Sequence, residues 1–137
     1  MDHCSILLVD DNPHDVELTL LALEVGSGAK VKVTTSGREA LDFLERCDCP
    51  EKRPDLILLD LNMPQMNGLE ILDALRAGEE TRDIPVVMLT TSSEERDQQA
   101  SYAHGANGYV VKAFNLEQFG EALAQIKRRW LPALRLG

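Results

Sequence analysis

The sequence predicts an α/β fold in which a five-stranded parallel sheet carries helices on both faces. Short apolar runs alternate five times with segments whose apolar residues recur at helical spacing, which is the pattern of repeated strand-helix units. The central runs are apolar without interruption, as strands covered on both faces are. At 137 residues, 44% of them hydrophobic, the chain has the size of one domain. We therefore expect a single domain over residues 1–137, with a core at about 5–129 and an apolar tail at 130–137.

The five predicted strands are the apolar runs themselves. In chain order they are 5–9, 31–33, 56–59, 86–89 and 109–111. Only the second run alternates apolar with polar residues, so we expect it alone to lie at an edge of the sheet.

The five predicted helices follow these strands. Asn12 before Pro13 is typical of an N-cap and a first helical residue, and Ser36 can cap the second helix. The glycines at 26–28 end the first helix, and 94–104 is a polar, weakly amphipathic helix. The apolar residues expected to face the sheet are Val16, Leu20 and Leu23 in the first helix, Ala40, Leu41 and Leu44 in the second, Leu69, Leu72 and Leu75 in the third, and Leu116, Phe119, Leu123, Ile126 and Trp130 in the last.

The charge balance narrows the classes of partner. There are 23 acidic and 14 basic residues, which give a formal net charge of −9. An acidic chain is poorly suited to a DNA backbone or an anionic membrane surface, so we expect neither as a partner. No apolar run approaches the ~20 residues that span a bilayer, and the first residues lack the basic and apolar regions of a signal peptide. These features favour a cytoplasmic location.

The cysteines do not indicate a disulfide framework or a metal site. Cys4, Cys47 and Cys49 are an odd number, and a reducing compartment disfavours disulfides. Cys47 and Cys49 have the spacing of half a zinc site, but no second Cys or His pair lies at a suitable spacing. We interpret them as ordinary loop residues.

Reactive side chains follow four of the predicted strands. Asp10 and Asp11 follow the first strand, Asp60 the third, Thr90 the fourth and Lys112 the fifth. In an open α/β sheet, ligands bind at the carboxyl ends of the strands, near the point where the strand order reverses. We expect these residues to converge there, although they are far apart in sequence.

Their chemistry favours a site for a phosphoryl group. Three carboxylates held together repel one another unless a cation joins them, and oxygen ligands with open positions suit Mg²⁺. The Lys112 ammonium and the Thr90 hydroxyl suit phosphoryl oxygens. Taken singly, the aspartates could favour a helix N-terminus, Thr90 could cap a turn and Lys112 could be a solvated charge. Their joint arrangement at four strand ends favours the functional interpretation.

Four ordered motifs occur at the ends of the predicted strands. They are Leu7-Leu8-Val9-Asp10-Asp11, Asp60-Leu61-Asn62-Met63-Pro64 with Gly68 beyond it, Leu89-Thr90-Thr91, and Gly108-Tyr109-Val110-Val111-Lys112. With these motifs the chain, from residue 5 to about residue 129, resembles the CheY-like receiver domains of two-component response regulators. The resemblance implies the flavodoxin-like strand order 2-1-3-4-5.

The same resemblance implies the chemical roles of the site residues. Asp60 corresponds to the phosphoacceptor, which takes a phosphoryl group from the phosphohistidine of a sensor histidine kinase. Asp11, Asp60 and the backbone carbonyl of Asn62 would hold Mg²⁺, and Asp10 would act through a metal-bound water. Lys112 would pair with the phosphoryl oxygens.

The resemblance also implies that two residues act together as a switch. Thr90 would turn its hydroxyl toward the new phosphate, and Tyr109 matches the aromatic residue whose rotation accompanies that movement. Phosphorylation adds ~1.5 to 2 negative charges and three acceptor oxygens. The surface formed by the fourth helix, the fifth strand and the fifth helix would change as a result.

The chain departs from the family pattern at two positions. Lys112 is followed by Ala113 where the family has a proline after a cis peptide, and a cis bond to a non-proline residue costs ~2.5 to 4 kcal/mol. Thr91 is bulkier than the alanine or glycine of most members and would restrict access to the phosphoaspartate. Asn62, Thr91 and Ser92 occupy the positions that tune the rate of dephosphorylation in the family.

A narrower resemblance concerns the loop 47–54, the stretch 82–92 and the tail 129–132. These segments resemble the single-domain response regulators that serve bacterial phytochromes, which implies a phytochrome-type kinase and a downstream phosphorelay or effector protein. Apolar residues near the end of the chain are typical of an interface, so we expect a homodimer. The alternative is that Trp130 folds back on the monomer core. The expected interface residues are Phe119, Ile126, Trp130, Leu131 and Leu134.

The predicted function is that of a phosphorylated signalling protein, not an enzyme with external substrates. We expect no DNA-binding output domain, so that output passes through contact with another protein. Two alternatives remain. One is a protein-binding module that works without phosphorylation. The other is a phosphatase with Asp60 as nucleophile, which would need a general acid at the position of Asn62.

Overall fold

The computed structural model describes residues 4–24, 29–47, 53–61, 63, 67–91, 94–112 and 116–130. Its strands are β1 (Cys4–Val9), β2 (Ala29–Thr34), β3 (Leu56–Asp60), β4 (Val86–Thr90) and β5 (Gly108–Val111). Its helices are α1 (Pro13–Glu24), α2 (Gly37–Glu45), α3 (Gly68–Ala77), α4 (Glu95–Ala103) and α5 (Leu116–Trp130). Strands and helices alternate along the described chain, as the sequence predicts.

All five strands run parallel in one sheet, in the order β2-β1-β3-β4-β5. This topology confirms both the α/β class and the strand order that the resemblance implies. The order reverses between β1 and β3, which makes their carboxyl ends the switch point at which such sheets bind ligands.

The expectation of a single edge strand is wrong, because β5 forms the second edge. Its residues alternate in burial, and Val111 is 39% exposed. The run Tyr109 to Val111 is apolar throughout, so the alternation that identifies an edge strand is absent from the sequence of β5 although it is present in the structure.

The sheet separates two apolar cores. Leu7 and Val9 of β1 point to the core beneath α2 and α3, whereas Ile6 and Leu8 point to the core beneath α1 and α5. The same alternation continues in β3 and β4, where every residue is buried. Burial on both faces explains why these two strands are apolar at every residue except the last, which is Asp60 in β3 and Thr90 in β4.

Two helices begin at the predicted caps. Asn12 Oδ1 accepts the backbone N–H of Asp15 at 3.3 Å, and Ser36 Oγ accepts that of Glu39 at 3.1 Å. Each cap satisfies an N–H that has no partner inside the helix. Because Asn12 lies two residues after Asp10, this cap also fixes how the chain leaves the carboxyl edge of the sheet.

The apolar residues of α5 do not all lie on the surface. Phe119 is 1% exposed and belongs to the core beneath α1 and α5, so its expected place in an interface is corrected. It lies on the stripe of α5 that packs on the sheet, where its ring fills the interior. Ile126 and Trp130 are partly buried against the same core, and Leu131 and Leu134 lie outside the described residues.

Within the described segments, no helix is both long and apolar enough to span a membrane. Cys47 is a buried thiol whose Sγ lies 3.4 Å from the Phe43 carbonyl oxygen, and Cys49 falls outside the described residues.

Candidate functional site

The carboxyl ends of four strands bring the predicted site residues to one edge of the sheet. Asp10 follows β1, Asp60 ends β3, Thr90 ends β4 and Lys112 follows β5. Their backbones are fixed by hydrogen bonds: the Asp10 N–H donates to the Thr34 carbonyl at 3.1 Å, and the Lys112 N–H donates to the Thr90 carbonyl at 2.6 Å. The sheet thus joins residues that are 102 positions apart in sequence.

The Lys112 ammonium lies among three carboxylates. Its Nζ is 2.9 Å from Asp10 Oδ2, 3.0 Å from Asp15 Oδ2 and 3.5 Å from Asp60 Oδ1. The side chains of Lys112, Asp10 and Asp60 are 5%, 0% and 7% exposed, so these contacts are largely shielded from water. Ion pairs in such surroundings are less screened by salt than pairs at the surface.

This environment keeps Lys112 charged. Burial lowers the pKa of the Lys112 ammonium, but the hydrogen bond and the negative charge of Asp10 raise it. The charge of Asp60 and the hydrogen bond to Asp15 act in the same direction, and the pKa ends above its ordinary value of 10.5. A permanent positive charge therefore lies beside Asp60.

A second group of carboxylates lies at the same edge. Carboxylate oxygens of Asp10, Asp11 and Asp60 all lie within 4.8 Å of one another. Asp10 and Asp60 are buried, whereas Asp11 keeps part of its surface in contact with solvent. Three carboxylates that converge from two neighbouring strands form a set of hard oxygen donors, which matches the preference of Mg²⁺.

Sequence reasoning missed Asp15. It belongs to the first turn of α1, and its carboxylate contacts Lys112 almost as closely as that of Asp10 does. Asp15 does not directly follow a strand, unlike the residues that the strand ends predict. The signal was present as a third acidic residue in the stretch 10–15, because a helix that starts at Pro13 keeps Asp15 within one turn of the sheet edge.

Thr90 and Tyr109 lie on neighbouring strands. Thr90 is fully buried and pairs in register with Val111, while Tyr109 pairs with Met88. Residues two positions apart on a strand share a face, so Thr90 and Tyr109 are diagonal neighbours on the same face of the sheet. Tyr109 is partly buried against the core beneath α2 and α3.

Other predicted residues lie at the rim or outside the described part of the chain. Thr91 is exposed, next to the buried Thr90. Asn62, Ser92 and the peptide bond from Lys112 to Ala113 lie outside the described residues.

Gly68, the first residue of α3, lies against the backbone of Asp60 and Leu61. Its N–H donates to the Leu61 carbonyl at 2.8 Å, and a Cβ at this position would lie 2.6 Å from the Asp60 carbonyl oxygen and 2.8 Å from Leu61 Cα. Only a residue without a side chain fits so close to the backbone of the site.

The fold and the site together define a class: an α/β domain with a buried lysine and an acidic cluster at the switch point of a parallel sheet. Residues 6–124 match the response regulator receiver domain, and the chain belongs to this family.

Among its relatives, the Response regulator Rcp1 of Synechocystis sp. is 36% identical over 134 residues, which cover 96% of this chain and 91% of that protein. A structure described as the Mn(2+)-bound form of Rcp1 shares 34% identity and superposes with a TM-score of 0.78, covering 94% of this chain and 95% of that one. The phosphorylated cyanobacterial phytochrome response regulator RcpA is 37% identical, with a TM-score of 0.82 and 96% of both chains covered. The bacteriophytochrome response regulator RtBRR is 44% identical, with a TM-score of 0.75 and 91% of this chain and 78% of that one covered.

Proposed function

We propose that this receiver domain works as a phosphorylated switch whose phosphoacceptor is Asp60. One observation carries the proposal: the Lys112 ammonium reaches Asp10 and Asp60 at the carboxyl edge of the sheet, where Asp11 completes an acidic cluster. A nucleophilic carboxylate, a fixed positive charge and a set of hard oxygen donors are the parts that phosphoryl transfer to an aspartate needs.

The reaction we propose is transfer from a phosphohistidine to Asp60. A carboxylate oxygen of Asp60 forms a bond to phosphorus while the bond between phosphorus and the histidine nitrogen of the kinase breaks. The leaving imidazole keeps the electron pair and takes a proton. Lys112 stabilises the charge on the phosphoryl oxygens, and because its amide is hydrogen-bonded to Thr90, its position is set by the sheet.

The acidic cluster fits Mg²⁺ as the resident cation. Asp11 and Asp60 would be direct ligands together with the backbone carbonyl of Asn62, and Asp10 would contribute through a water. The Lys112 ammonium contacts the carboxylates of Asp10, Asp15 and Asp60, and Asp11 lies within 4.8 Å of Asp10 and Asp60. One ammonium among these carboxylates leaves a surplus of negative charge for a cation to neutralise. When bound, Mg²⁺ supplies charge neutralisation for the incoming phosphoryl oxygens.

We further propose that Thr90 and Tyr109 transmit the new charge. They share a face of the sheet, so movement of the Thr90 hydroxyl toward the phosphoryl group would free space for the Tyr109 ring. The surface of α4, β5 and α5 would then change. Asn62, Thr91 and Ser92 would set how fast water removes the phosphoryl group, and Thr91, which is exposed beside Thr90, is the member of this group within the described residues.

The proposed kinase is a histidine kinase of the phytochrome type in the cytoplasm. This proposal is supported by the relatives RcpA and RtBRR, which are described as a phytochrome and a bacteriophytochrome response regulator. Output would pass to a downstream phosphorelay or effector protein by surface contact. The net charge of −9 supports a protein partner over nucleic acid.

We also propose a homodimer formed by the end of α5 and the tail. Ile126 and Trp130 would contribute from α5, and Leu131 and Leu134 from the tail. Ile126 and Trp130 are only partly buried against the core of their own chain, so each keeps apolar surface at the end of α5 that a second copy could cover. Sedimentation equilibrium of wild type and Trp130→Ala tests this proposal. A concentration-dependent dimer that Trp130→Ala weakens supports it, and a wild-type monomer at high concentration contradicts it.

Acetyl phosphate tests the central proposal. Wild type is incubated with acetyl phosphate and Mg²⁺, and its intact mass is measured over time. We expect addition of one phosphoryl group that depends on Mg²⁺ and is suppressed by a chelator. An unmodified mass under conditions that label a control receiver would contradict the proposal and would favour a binding module that works without phosphorylation.

A further inference from the structure

Asp15 holds Lys112 as closely as the buried carboxylate of the site does. The distance from Lys112 Nζ to Asp15 Oδ2 is 3.0 Å, against 2.9 Å to Asp10 Oδ2 and 3.5 Å to Asp60 Oδ1. Hydrogen bonds between a charged donor and a carboxylate are usually 2.7–2.9 Å long. In this structure the ammonium is therefore bound mainly to Asp10 and Asp15, and it is farther from the proposed phosphoacceptor.

The position of Asp15 in α1 does not by itself explain this contact. An acidic residue in a first helical turn can bond back to the N–H of the N-cap residue. Here that N–H, on Asn12, donates instead to Asp10 Oδ1 at 3.0 Å. Asp15 takes part in the helix cap through its backbone, because its N–H donates to the Asn12 side chain. The Asp15 carboxylate is therefore available for Lys112.

The two partners of Lys112 differ in exposure. The Asp10 side chain is fully buried, and that of Asp15 is 29% exposed. A buried carboxylate that loses its cation is left without compensation, whereas a partly exposed one is solvated by water. Asp15 is therefore the partner that Lys112 can release at the lower cost.

We propose that Asp15 is a positioning residue that retains Lys112 in the unphosphorylated protein and releases it to the incoming phosphoryl group. This proposal rests on the function proposed above for Asp60. Lys112 keeps its hydrogen bond to Asp10 and exchanges the one to Asp15 for a phosphoryl oxygen. Asp15 therefore slows phosphorylation for two reasons. Its contact with Lys112 must be broken, and its negative charge repels the anionic phosphoryl donor.

The test compares labelling rates by acetyl phosphate at fixed Mg²⁺. Asp15→Asn keeps the shape of the side chain and removes its charge. We expect this variant to be labelled about fivefold faster than wild type, because a rate change of this size is expected when one partly exposed ion pair no longer has to be broken. Asp15→Glu restores the charge and should return the rate toward that of wild type. A variant that only damages the fold would be slower, so acceleration with rescue by glutamate distinguishes positioning from a structural role.

Glu17→Gln is the matched control. Glu17 is an exposed acidic residue of the same helix, so this variant removes one negative charge from α1 without touching the contacts of Lys112. We expect a labelling rate close to that of wild type. Equal acceleration by Glu17→Gln and Asp15→Asn would assign the effect to overall charge and overturn the proposal.

The outcomes separate this proposal from the proposed function. Absence of labelling in wild type contradicts the function of Asp60 itself. Labelling of wild type with an equal or slower rate in folded Asp15→Asn overturns the role of Asp15 alone. Asp15→Ala, which also removes the charge and favours the helix, carries the same expectation and provides the readout if Asp15→Asn does not fold.

Discussion

Lys112 partly balances the negative charge of the site. A single ammonium, 5% exposed, offsets the carboxylates of Asp10, Asp15 and Asp60. Removal of one partner from a buried ionic cluster leaves uncompensated charge, which usually costs several kcal/mol. The same lysine therefore contributes to the stability of the fold, and in the function we propose it also provides a positive charge for phosphoryl oxygens.

Stability at high pH should report this role of Lys112. The folded protein raises the pKa of Lys112 above 10.5, so the stabilisation is fully present below pH 10.5 and is lost as the pH rises through the folded-state pKa. We expect the difference in unfolding free energy between wild type and Lys112→Met to be constant at neutral pH and to shrink above pH 10.5. Urea denaturation over this range measures it, with the exposed Lys30→Met as control. A difference that stays constant past pH 10.5 would argue against this role.

Mg²⁺ should stabilise the folded protein through the acidic cluster. A ligand that binds only the folded state adds about 2.7 kcal/mol at a hundred times its dissociation constant. We expect the urea midpoint of wild type to rise with Mg²⁺ and Asp11→Asn to lose most of that rise. Asp73→Asn is the control, because Asp73 pairs with His104, at 2.6 Å, away from the cluster. An equal rise in wild type and Asp11→Asn would contradict the assignment of Asp11.

Sequence reasoning identified the residues that follow strands and missed the one on a helix. Asp10, Asp60, Thr90 and Lys112 could be predicted to converge because parallel strands end at a common edge. Asp15 could not be placed by that rule. Its contact with Lys112 depends on where α1 begins and on the orientation of the helix relative to the sheet. The spacing of residues in the sequence does not give that geometry.

Among the helices and strands, the start of α3 is held against the backbone of the site. Gly68 begins α3 and lies against the backbone of Asp60 and Leu61. The third helix therefore starts in direct contact with the proposed phosphoacceptor, and the position of Asp60 depends on how closely these two segments approach.

Gly68→Ala should disturb both stability and chemistry. The added Cβ would meet backbone atoms of Asp60 and Leu61 at 2.6 and 2.8 Å, which cannot move without shifting β3. We expect a loss of about 1–3 kcal/mol in unfolding free energy and slower labelling by acetyl phosphate. Gly78→Ala, just after the other end of α3, is the matched control. Its Cβ would also make a short contact, at 2.6 Å, but with the side-chain Thr81 Oγ1 and not with the backbone of Asp60. A wild-type labelling rate in folded Gly68→Ala would contradict this account.

Helix starts were easier to predict than sheet edges. Asn12 and Ser36 cap helices where the sequence indicates, because a cap depends on a few neighbouring residues. The edge position of β5 depends on which strands pair. Its short apolar run carries no sign of that, because Tyr109 is covered by the core while Val111 remains exposed.

Across the whole sheet, the alternation of strands and helices predicts the α/β class but not the order of the strands. The order 2-1-3-4-5 came from the resemblance to receiver domains, and the parallel register confirms it. That order puts β1 and β3 side by side, so Asp10 and Asp60 meet. Strand order is set by long-range pairing, which local periodicity does not encode.

Substitution of Asp60 tests most directly whether this residue is the phosphoacceptor. Wild type, Asp60→Asn and Asp73→Asn are incubated with acetyl phosphate and Mg²⁺, and the intact mass of each is measured. We expect one phosphoryl group on wild type and on Asp73→Asn, whose exposed aspartate lies on α3 outside the site, and none on Asp60→Asn. Full labelling of a folded Asp60→Asn would place the phosphoacceptor elsewhere and contradict the assignment of Asp60.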